Sequence, residues 1–239
     1  MMNNKTKFFL TLVIGMASLA ILQPSTVCAT TVSIGNTYGP YEVNPGGEFT
    51  FFSTDLSSMI ANYNSAAKNQ MGGSLNFQTF CVEGSEFIST NTTYNVALND
   101  HSVLSNNYLT LGAAWLYSQF AQGSLSGYNY GANRTTTADQ LQRAIWHYMG
   151  GQEGQGGYDS SNPFEVAAKN FFGSDANANA TAGLNNFGVW VLNLTIGSNN
   201  YQDQLIYNPS VPDGGTTVML LGLALVGLFA ARKLRMLKA

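Results

Sequence analysis

The chain has few of the residues that most often carry enzyme chemistry or bind transition metals. Its 239 residues include two cysteines and two histidines, and charged residues make up 10% of the total. The histidines, His101 and His147, are too far apart and too far from the cysteines to match the ligand spacing of a zinc site. The sequence therefore predicts no metal site and no cofactor.

Basic residues are scarcest in the central part of the chain. Residues 30–210 contain four basic and twelve acidic residues, which give this span a formal charge of −8. Binding to nucleic acid needs clustered Lys and Arg to neutralise phosphates, so this composition argues against a nucleic-acid partner. The span has about the length of one domain, and it holds enough Phe, Tyr and Trp to build a core.

The N-terminus has the pattern of a secretory signal peptide. Lys5 and Lys7 precede the apolar run Phe8–Leu22, and small residues occur near Ala29. This order is typical of a signal peptide, and the run is short for a bilayer-spanning helix. We predict a signal peptide over residues 1–29, with cleavage after Ala29. A membrane anchor is the alternative.

The C-terminal segment, residues 211–239, predicts attachment to a membrane. An apolar stretch, residues 216–231, is followed by a basic end that includes Arg232 and Lys238. Sixteen helical residues rise about 24 Å, slightly less than the thickness of a hydrocarbon core. The basic end is expected to stay cytoplasmic, which leaves the central span outside the membrane. The segment begins with the residues Val211, Pro212, Asp213, Gly214 and Gly215.

This C-terminal segment resembles the PEP-CTERM sorting tails of Gram-negative bacteria, in the variant that opens with VPDGG. The motif, the apolar run and the basic end occur in the same order as in those tails. The resemblance implies recognition and cleavage by an exosortase. It also implies an exported protein that is anchored transiently in the inner membrane and delivered to the cell envelope, the outer surface or an extracellular matrix. A plain single-pass anchor is the alternative.

The central span predicts both strands and helices. Five segments are short, rich in β-branched and aromatic residues, and bounded by Gly, Asn or Pro, as strands are. They are Thr31–Gly35, Glu48–Ser53, Phe77–Glu83, Thr92–Leu98 and Asn186–Gly197. Apolar residues at helical spacing predict three helices. These are Leu109–Gly123, Thr137–Gly151 and Asn162–Gly173.

Two of the predicted helices carry start signals. Thr137 and Gln140 match a capping box, and Asn162 is a suitable N-cap before Pro163. Together the elements predict an α+β fold class with a single domain. We expect a β-sandwich or barrel-like sheet core with about three helices packed on it.

Cys81 is the only cysteine that remains after removal of the signal peptide. A free thiol is a liability in an oxidising compartment. It could be an inert buried residue, pair with another chain, act as a nucleophile with His147 as base, or form another covalent bond. Alternation along the predicted strand puts Cys81 on the face opposite Phe80 and Val82, so it need not share the face of the main aromatic core.

Two short motifs stand out, FCVE at Phe80–Glu83 and LQRAIW at Leu141–Trp146. They are similar to the paired motifs of the Cys–Gln thioester domains, which occur on bacterial surface proteins, notably Gram-positive adhesins. The sequence departs from the family pattern at Leu141, where Thr is usual, and at Glu83, where Asp or Asn is commoner. The matching residues are Cys81, Val82, Glu83, Gln142, Ala144, Ile145 and Trp146.

The resemblance implies a thioester between Cys81 and Gln142, which would be a single-use electrophile rather than the site of a turnover enzyme. It implies covalent coupling to a surface amine, such as a protein lysine or a polyamine. Separately from the resemblance, we expect Glu83 or His147 to orient groups or relay the proton. One alternative is a non-covalent structural or glycan-binding envelope protein that contacts extracellular polysaccharide. Another is a cysteine hydrolase or transferase that uses Cys81 and His147.

Overall fold

The computed structural model describes residues 30–43, 46–68, 75–131, 134–150, 157–183 and 186–209. The predicted signal peptide and the predicted sorting tail, with its transmembrane segment, lie outside these ranges. Among the helices within them, none is both long enough and apolar enough to cross a bilayer.

Strands and helices alternate in blocks along the described chain. The strands are β1 (Thr31–Ile34), β2 (Tyr41–Val43), β3 (Gly46–Phe52), β4 (Asn76–Thr79), β5 (Thr92–Asn99), β6 (Val189–Ile196) and β7 (Asn199–Tyr207). The helices are α1 (Ser57–Ile60), α2 (Leu111–Ala121), α3 (Thr135–Tyr148), α4 (Pro163–Phe172) and α5 (Asp175–Ala178). Short 3₁₀ turns occur at Ser65–Ala67 and Asn186–Gly188.

The strands form one antiparallel sheet that curls into a half-barrel. Their order is β2-β3-β1-β5-β6-β7, and β4 also pairs with β3. The segment that follows β4 reaches across to β7. Val82 N donates to Asp203 O at 2.9 Å, and Leu205 N donates to Phe80 O at 3.2 Å. The isolated bridge between Cys81 and Gln204 lies between these two hydrogen bonds.

The core lies between the curled sheet and the three longer helices. Phe80, just after β4, packs edge-on against Phe120 of α2, with ring centroids 5.0 Å apart. Helix α2 is buried on most of its circumference, whereas α3 buries one stripe that includes Leu141, Ile145 and Tyr148. Each such side chain contributes about 1.5–3 kcal/mol through the burial of apolar surface, and this holds α3 against the sheet.

The predicted fold class is confirmed. The structure is a single α+β domain with a curled sheet, and α2, α3 and α4 are the three predicted helices. The predicted strands correspond to β1, β3, β4, β5 and β6, with ends that differ by at most four residues. Strands β2 and β7 were not predicted. β2 is only three residues long, and β7 carries a polar run in which Gln202, Asp203 and Gln204 are all buried.

The two predicted helix starts have different outcomes. The Asn162 cap is confirmed, because Asn162 Oδ1 accepts from Phe164 N at 3.0 Å. The capping box at Thr137 is wrong, since α3 already begins at Thr135. The Thr137 hydroxyl instead donates to Arg134 O at 2.9 Å, one turn earlier.

Cys81 lies deeper in the molecule than its strand alternation indicated. β4 ends at Thr79, and Phe80, Cys81 and Val82 are all buried. Cys81 belongs to the main hydrophobic cluster, with none of its surface exposed. The predicted alternation does not hold because the β3–β4 ladder ends at Thr79 and the segment that follows crosses to pair with β7 inside the core.

Candidate functional site

Helix α3 directs Gln142 and Trp146 toward the start of β3 and the segment after β4. The two residues are one turn apart, so they lie on the same face of the helix. Each is only 1% exposed. Gln142 is a polar side chain in an apolar setting, and its polar atoms therefore need internal hydrogen-bond partners.

The Gln142 carboxamide finds these partners on two backbone segments. Its Oε1 accepts from Cys81 N at 2.9 Å and from Gly47 N at 3.0 Å. Its Nε2 donates to Cys81 O at 2.8 Å. The side-chain amide thus binds Cys81 as a neighbouring strand would, and this arrangement places the thiol-bearing residue directly beside the carboxamide.

Two N–H donors that converge on one carbonyl oxygen have a chemical consequence. They polarise the carbonyl bond, and they stabilise the negative charge that develops on the oxygen when a nucleophile adds to the carbon. The donors Gly47 N and Cys81 N are fixed in the backbone of a packed core, so they need no rearrangement during such a reaction. The two donors therefore lie where they could stabilise an oxyanion at Gln142 Oε1.

Gly46 permits the close contact between α3 and β3. A Cβ atom at this position would lie 2.8 Å from Trp146 Cζ2 and 3.1 Å from Gln142 Cδ. Such a separation from the buried Trp146 ring is shorter than real Cβ contacts, so any larger residue would push the helix face away. The absence of a side chain at Gly46 therefore helps to hold Gln142 in place.

The Cys81 thiol is enclosed by protein. Gln204 Nε2 lies 3.6 Å from Cys81 Sγ and donates to it. Burial raises the pKa of the Cys81 thiol to about 12, and the hydrogen bond from Gln204 opposes this shift. The thiol is therefore protonated at neutral pH, and a reaction of the sulfur must transfer that proton.

A buried ion pair ties the start of α3 to β3 next to this site. Arg134 Nε donates to Glu48 Oε2 at 2.7 Å, Arg134 Nη2 also bonds Glu48 Oε1, and Tyr128 donates to the same carboxylate at 2.7 Å. Both charged side chains are fully buried. Because Glu48 follows Gly47 in the chain, this pair fixes one of the two N–H donors relative to α3.

The structure places the other residues named from the sequence as follows. Ala144 and Ile145 are buried in the core. The hydrogen bonds of the Gln142 carboxamide described above involve neither of them. Glu83 Oε2 accepts from Ser105 Oγ at 2.9 Å. His147 lies about 140° around the helix from Gln142, and its Nε2 is 3.0 Å from Asp175 Oδ1. The structure brings Cys81 and Gln142 together and does not bring His147 to them.

Sequence reasoning missed three contributors to the site, namely Gly46, Gly47 and Gln204. The adjacent glycines at the start of a strand are a usable signal, because glycine in a strand often marks a close backbone approach. Gln204 carries no such signal, since its contact with Cys81 depends on how β7 pairs across the sheet.

Comparison with known proteins adds information on the C-terminus alone. A family model described as the VPDSG-CTERM motif matches residues 210–235. The chain has Gly214 at the position of Ser in that motif name. No curated protein and no solved structure matches the chain. The chain therefore carries a PEP-CTERM-like sorting tail, which indicates recognition by an exosortase-type processing enzyme and export to the cell envelope or surface.

Proposed function

We propose that this exported protein forms a thioester between Cys81 Sγ and Gln142 Cδ and uses it once to couple to a primary amine on a partner surface. The proposal rests on one observation: the Gln142 carboxamide forms hydrogen bonds with both the backbone N–H and the backbone oxygen of Cys81. Its carbonyl oxygen accepts a second N–H, from Gly47. The resemblance of the FCVE and LQRAIW motifs to thioester domains agrees with this placement.

The bond forms by exchange of ammonia for the thiol. Cys81 Sγ adds to Gln142 Cδ, and the charge on Oε1 is held by Cys81 N and Gly47 N. The C–N bond then breaks, the thiol proton ends on the departing nitrogen, and ammonia leaves. Transfer of that proton offsets the raised pKa of the thiol, because no free thiolate has to accumulate. The products are a thioester and one ammonia.

Enclosure protects the thioester once it has formed. Cys81 and Gln142 are both buried, and Trp146 covers the same site with only 1% of its surface exposed. Exclusion of water slows hydrolysis of the thioester. The acyl carbon stays available to an amine that displaces the side chains packed over it. An amine nitrogen then bonds to Cδ, the C–S bond breaks, the sulfur takes the amine's proton, and a stable amide remains.

Charge favours cationic amines as the coupling partners. The span 30–210 has a formal charge of −8, and protonated lysines or polyamines are drawn to such a surface. The exposed Glu42 on β2 is near enough to Cys81 to raise the thiol's pKa electrostatically. It therefore places a negative charge close to the proposed thioester.

Intact mass spectrometry tests the proposal. Protein purified from its host should weigh one ammonia less than its processed sequence, and methylamine should add to Gln142 and release an alkylatable Cys81. The matched variants Cys81→Ala and Gln142→Ala should keep their full masses and take up no methylamine. A wild-type protein of full mass, with no methylamine adduct, would end the proposal.

A non-covalent glycan-binding role is the second candidate, and it rests on exposed aromatic rings. Phe171 of α4 is 56% exposed and stacks on Trp115 of α2, with ring centroids 4.6 Å apart. Flat rings of this kind can contact the apolar faces of sugars. This candidate requires that Cys81→Ala keep all binding to extracellular polysaccharide and that Phe171→Ala lose it.

A further inference from the structure

Three carboxylates meet beside the carboxamide site, at the point where the loop between β4 and β5 passes β7. One oxygen each from Glu83, Glu86 and Asp203 lies within 4.8 Å of the other two. Asp203 is fully buried, Glu83 is 6% exposed, and Glu86 is half-buried. Like charges at this spacing repel, and burial removes the water that would otherwise stabilise them. Such a cluster is stabilised either by taking up protons or by binding a cation.

Two of the carboxylate oxygens have no hydrogen-bond partner within the described chain. They are Glu83 Oε1 and Glu86 Oε2, and both atoms are buried. The other Glu83 oxygen is occupied by Ser105 N and Ser105 Oγ. Buried polar atoms nearly always have a hydrogen-bond partner in folded proteins. Two buried carboxylate oxygens without a partner in one cluster therefore point to a bound cation.

Asp203 is held firmly in the orientation that completes the cluster. Its Oδ2 accepts from Val103 N at 2.7 Å and from Asn193 Nδ2 at 2.9 Å, and its Oδ1 accepts from Leu194 N at 3.2 Å. In metal sites, hydrogen bonds from residues that do not themselves touch the metal hold the binding carboxylates in position. Two of the hydrogen bonds to Asp203 use both lone pairs of Oδ2, and one lone pair of Oδ1 is left for a cation.

Two of the basic side chains in the described chain are engaged with other carboxylates. Arg134 pairs with Glu48, and Arg143 pairs with Asp139 on the surface of α3. The three clustered carboxylates thus do not share these arginines, and a dissolved cation is a suitable source of the missing charge.

We propose that Glu83, Glu86 and Asp203 bind one Ca²⁺ ion. Ca²⁺ takes six to eight oxygen ligands at 2.3–2.6 Å, so two of its ligands can be up to about 5 Å apart, which matches the observed limit of 4.8 Å. The half-buried Glu86 leaves a side open for entry and for water ligands. All ligands are hard oxygens, which suit Ca²⁺ rather than zinc or copper.

The proposed ion would brace the segment that carries Cys81. Val82 N donates to the backbone oxygen of Asp203, and Gln202 Nε2 donates to the backbone oxygen of Glu83 at 2.8 Å. The site does not depend on the thioester, because none of its three ligands contacts the Gln142 carboxamide by a hydrogen bond. A Cys81→Ala variant is therefore expected to bind Ca²⁺ as the wild type does.

Calorimetric titration of the EDTA-treated full chain with CaCl₂ tests the proposal. We expect one ion per chain with a Kd of about 0.1–1 mM, the range typical of extracellular modules. Glu86→Gln, at a half-buried position, should weaken binding about tenfold or more. Asp139→Asn is the matched control, because it removes a carboxylate from the surface pair with Arg143 and should leave the Kd unchanged.

Thermal melting of the wild type gives a second measurement that needs no variant. CaCl₂ should raise the melting temperature, and NaCl at the same ionic strength should not. The proposal is overturned if about 10 mM CaCl₂ gives neither heat nor a rise in melting temperature, since that is tenfold above the expected range. It is also overturned if Mg²⁺ binds equally tightly, or if Glu86→Gln and Asp139→Asn behave alike.

Discussion

Gly46→Ala is the most direct test of the packing that holds the carboxamide site. The added Cβ would lie 2.8 Å and 2.9 Å from two ring carbons of Trp146 and 3.1 Å from Gln142 Cδ. Trp146 is 1% exposed and cannot move without displacing α3 from the sheet. We therefore expect the variant to fold with Gln142 shifted away from Cys81.

Two opposing contributions determine how much Gly46→Ala changes the free energy of unfolding. Overpacking of a buried contact costs about 1–3 kcal/mol. Replacing Gly by Ala recovers about 0.4–1 kcal/mol by restricting the unfolded chain, since no left-handed backbone is required at Gly46. The central values of the two contributions leave a net loss of about 1 kcal/mol, which lowers the melting temperature of a domain of this size by about 2–4 °C.

Thermal melting and intact mass together provide the assay. Gly35→Ala is the matched control, because its Cβ would meet nothing closer than 3.7 Å. The Gly46 variant should melt lower than the control and should show less ammonia loss, since its carboxamide no longer lies against both N–H donors. Equal melting temperatures and equal ammonia loss in the two variants would refute the reasoning.

Two further predictions concern buried ionisable groups. Arg134→Met should lower the free energy of unfolding, measured by urea titration, by about 3–5 kcal/mol, because it leaves Glu48 buried without its cation. Adding Glu48→Gln should restore part of the loss. Identical stabilities of the single and double variants would contradict this. In Gln142→Ala, where the thiol stays free, stability should fall as the pH rises from 9 toward 12. Burial raises the folded-state pKa of Cys81 to about 12, whereas the unfolded thiol ionises near 9. Adding Cys81→Ala should remove that part of the pH dependence, and a slope that persists unchanged would exclude Cys81 as its source.

The elements that the sequence predicted well are those with strong local signals. Asn162 followed by Pro163 marked the start of α4, and the apolar spacing marked α2 and α3. The predictions failed where tertiary contacts override local preference. Thr137 had the residue type of a cap, but α3 begins two residues earlier, after the buried Arg134, whose ion pair with Glu48 holds the start of the helix.

The candidate site was partly accessible from the sequence. The resemblance to thioester domains singled out Cys81 and Gln142, which lie side by side in the structure. His147 was also expected to assist, as a base or proton relay, and the structure instead places it beside Asp175. The position of His147 on α3, five residues after Gln142, already directs it to another side of the helix, and helical periodicity could have revealed this.

The three clustered carboxylates had no sequence signal at all. Glu83 and Glu86 are close in the chain, but Asp203 is far away in a strand that was not predicted. The spacing of cysteines and histidines gives no information on a site made of carboxylates. Their proximity results from the pairing of the segment after β4 with β7.

The sequence by itself determined the sorting tail at the C-terminus, the α+β class and the identity of the one cysteine in residues 30–210, and it predicts a signal peptide at the N-terminus. These properties depend on composition, local order and periodicity, which are readable along the chain. Only the tertiary structure decided that Gln142 lies against Cys81 under two backbone N–H donors, and that three acidic side chains share one buried corner. Contacts between residues far apart in the chain depend on sheet curvature, strand register and the packing of α3 at Gly46, and no local pattern encodes those distances.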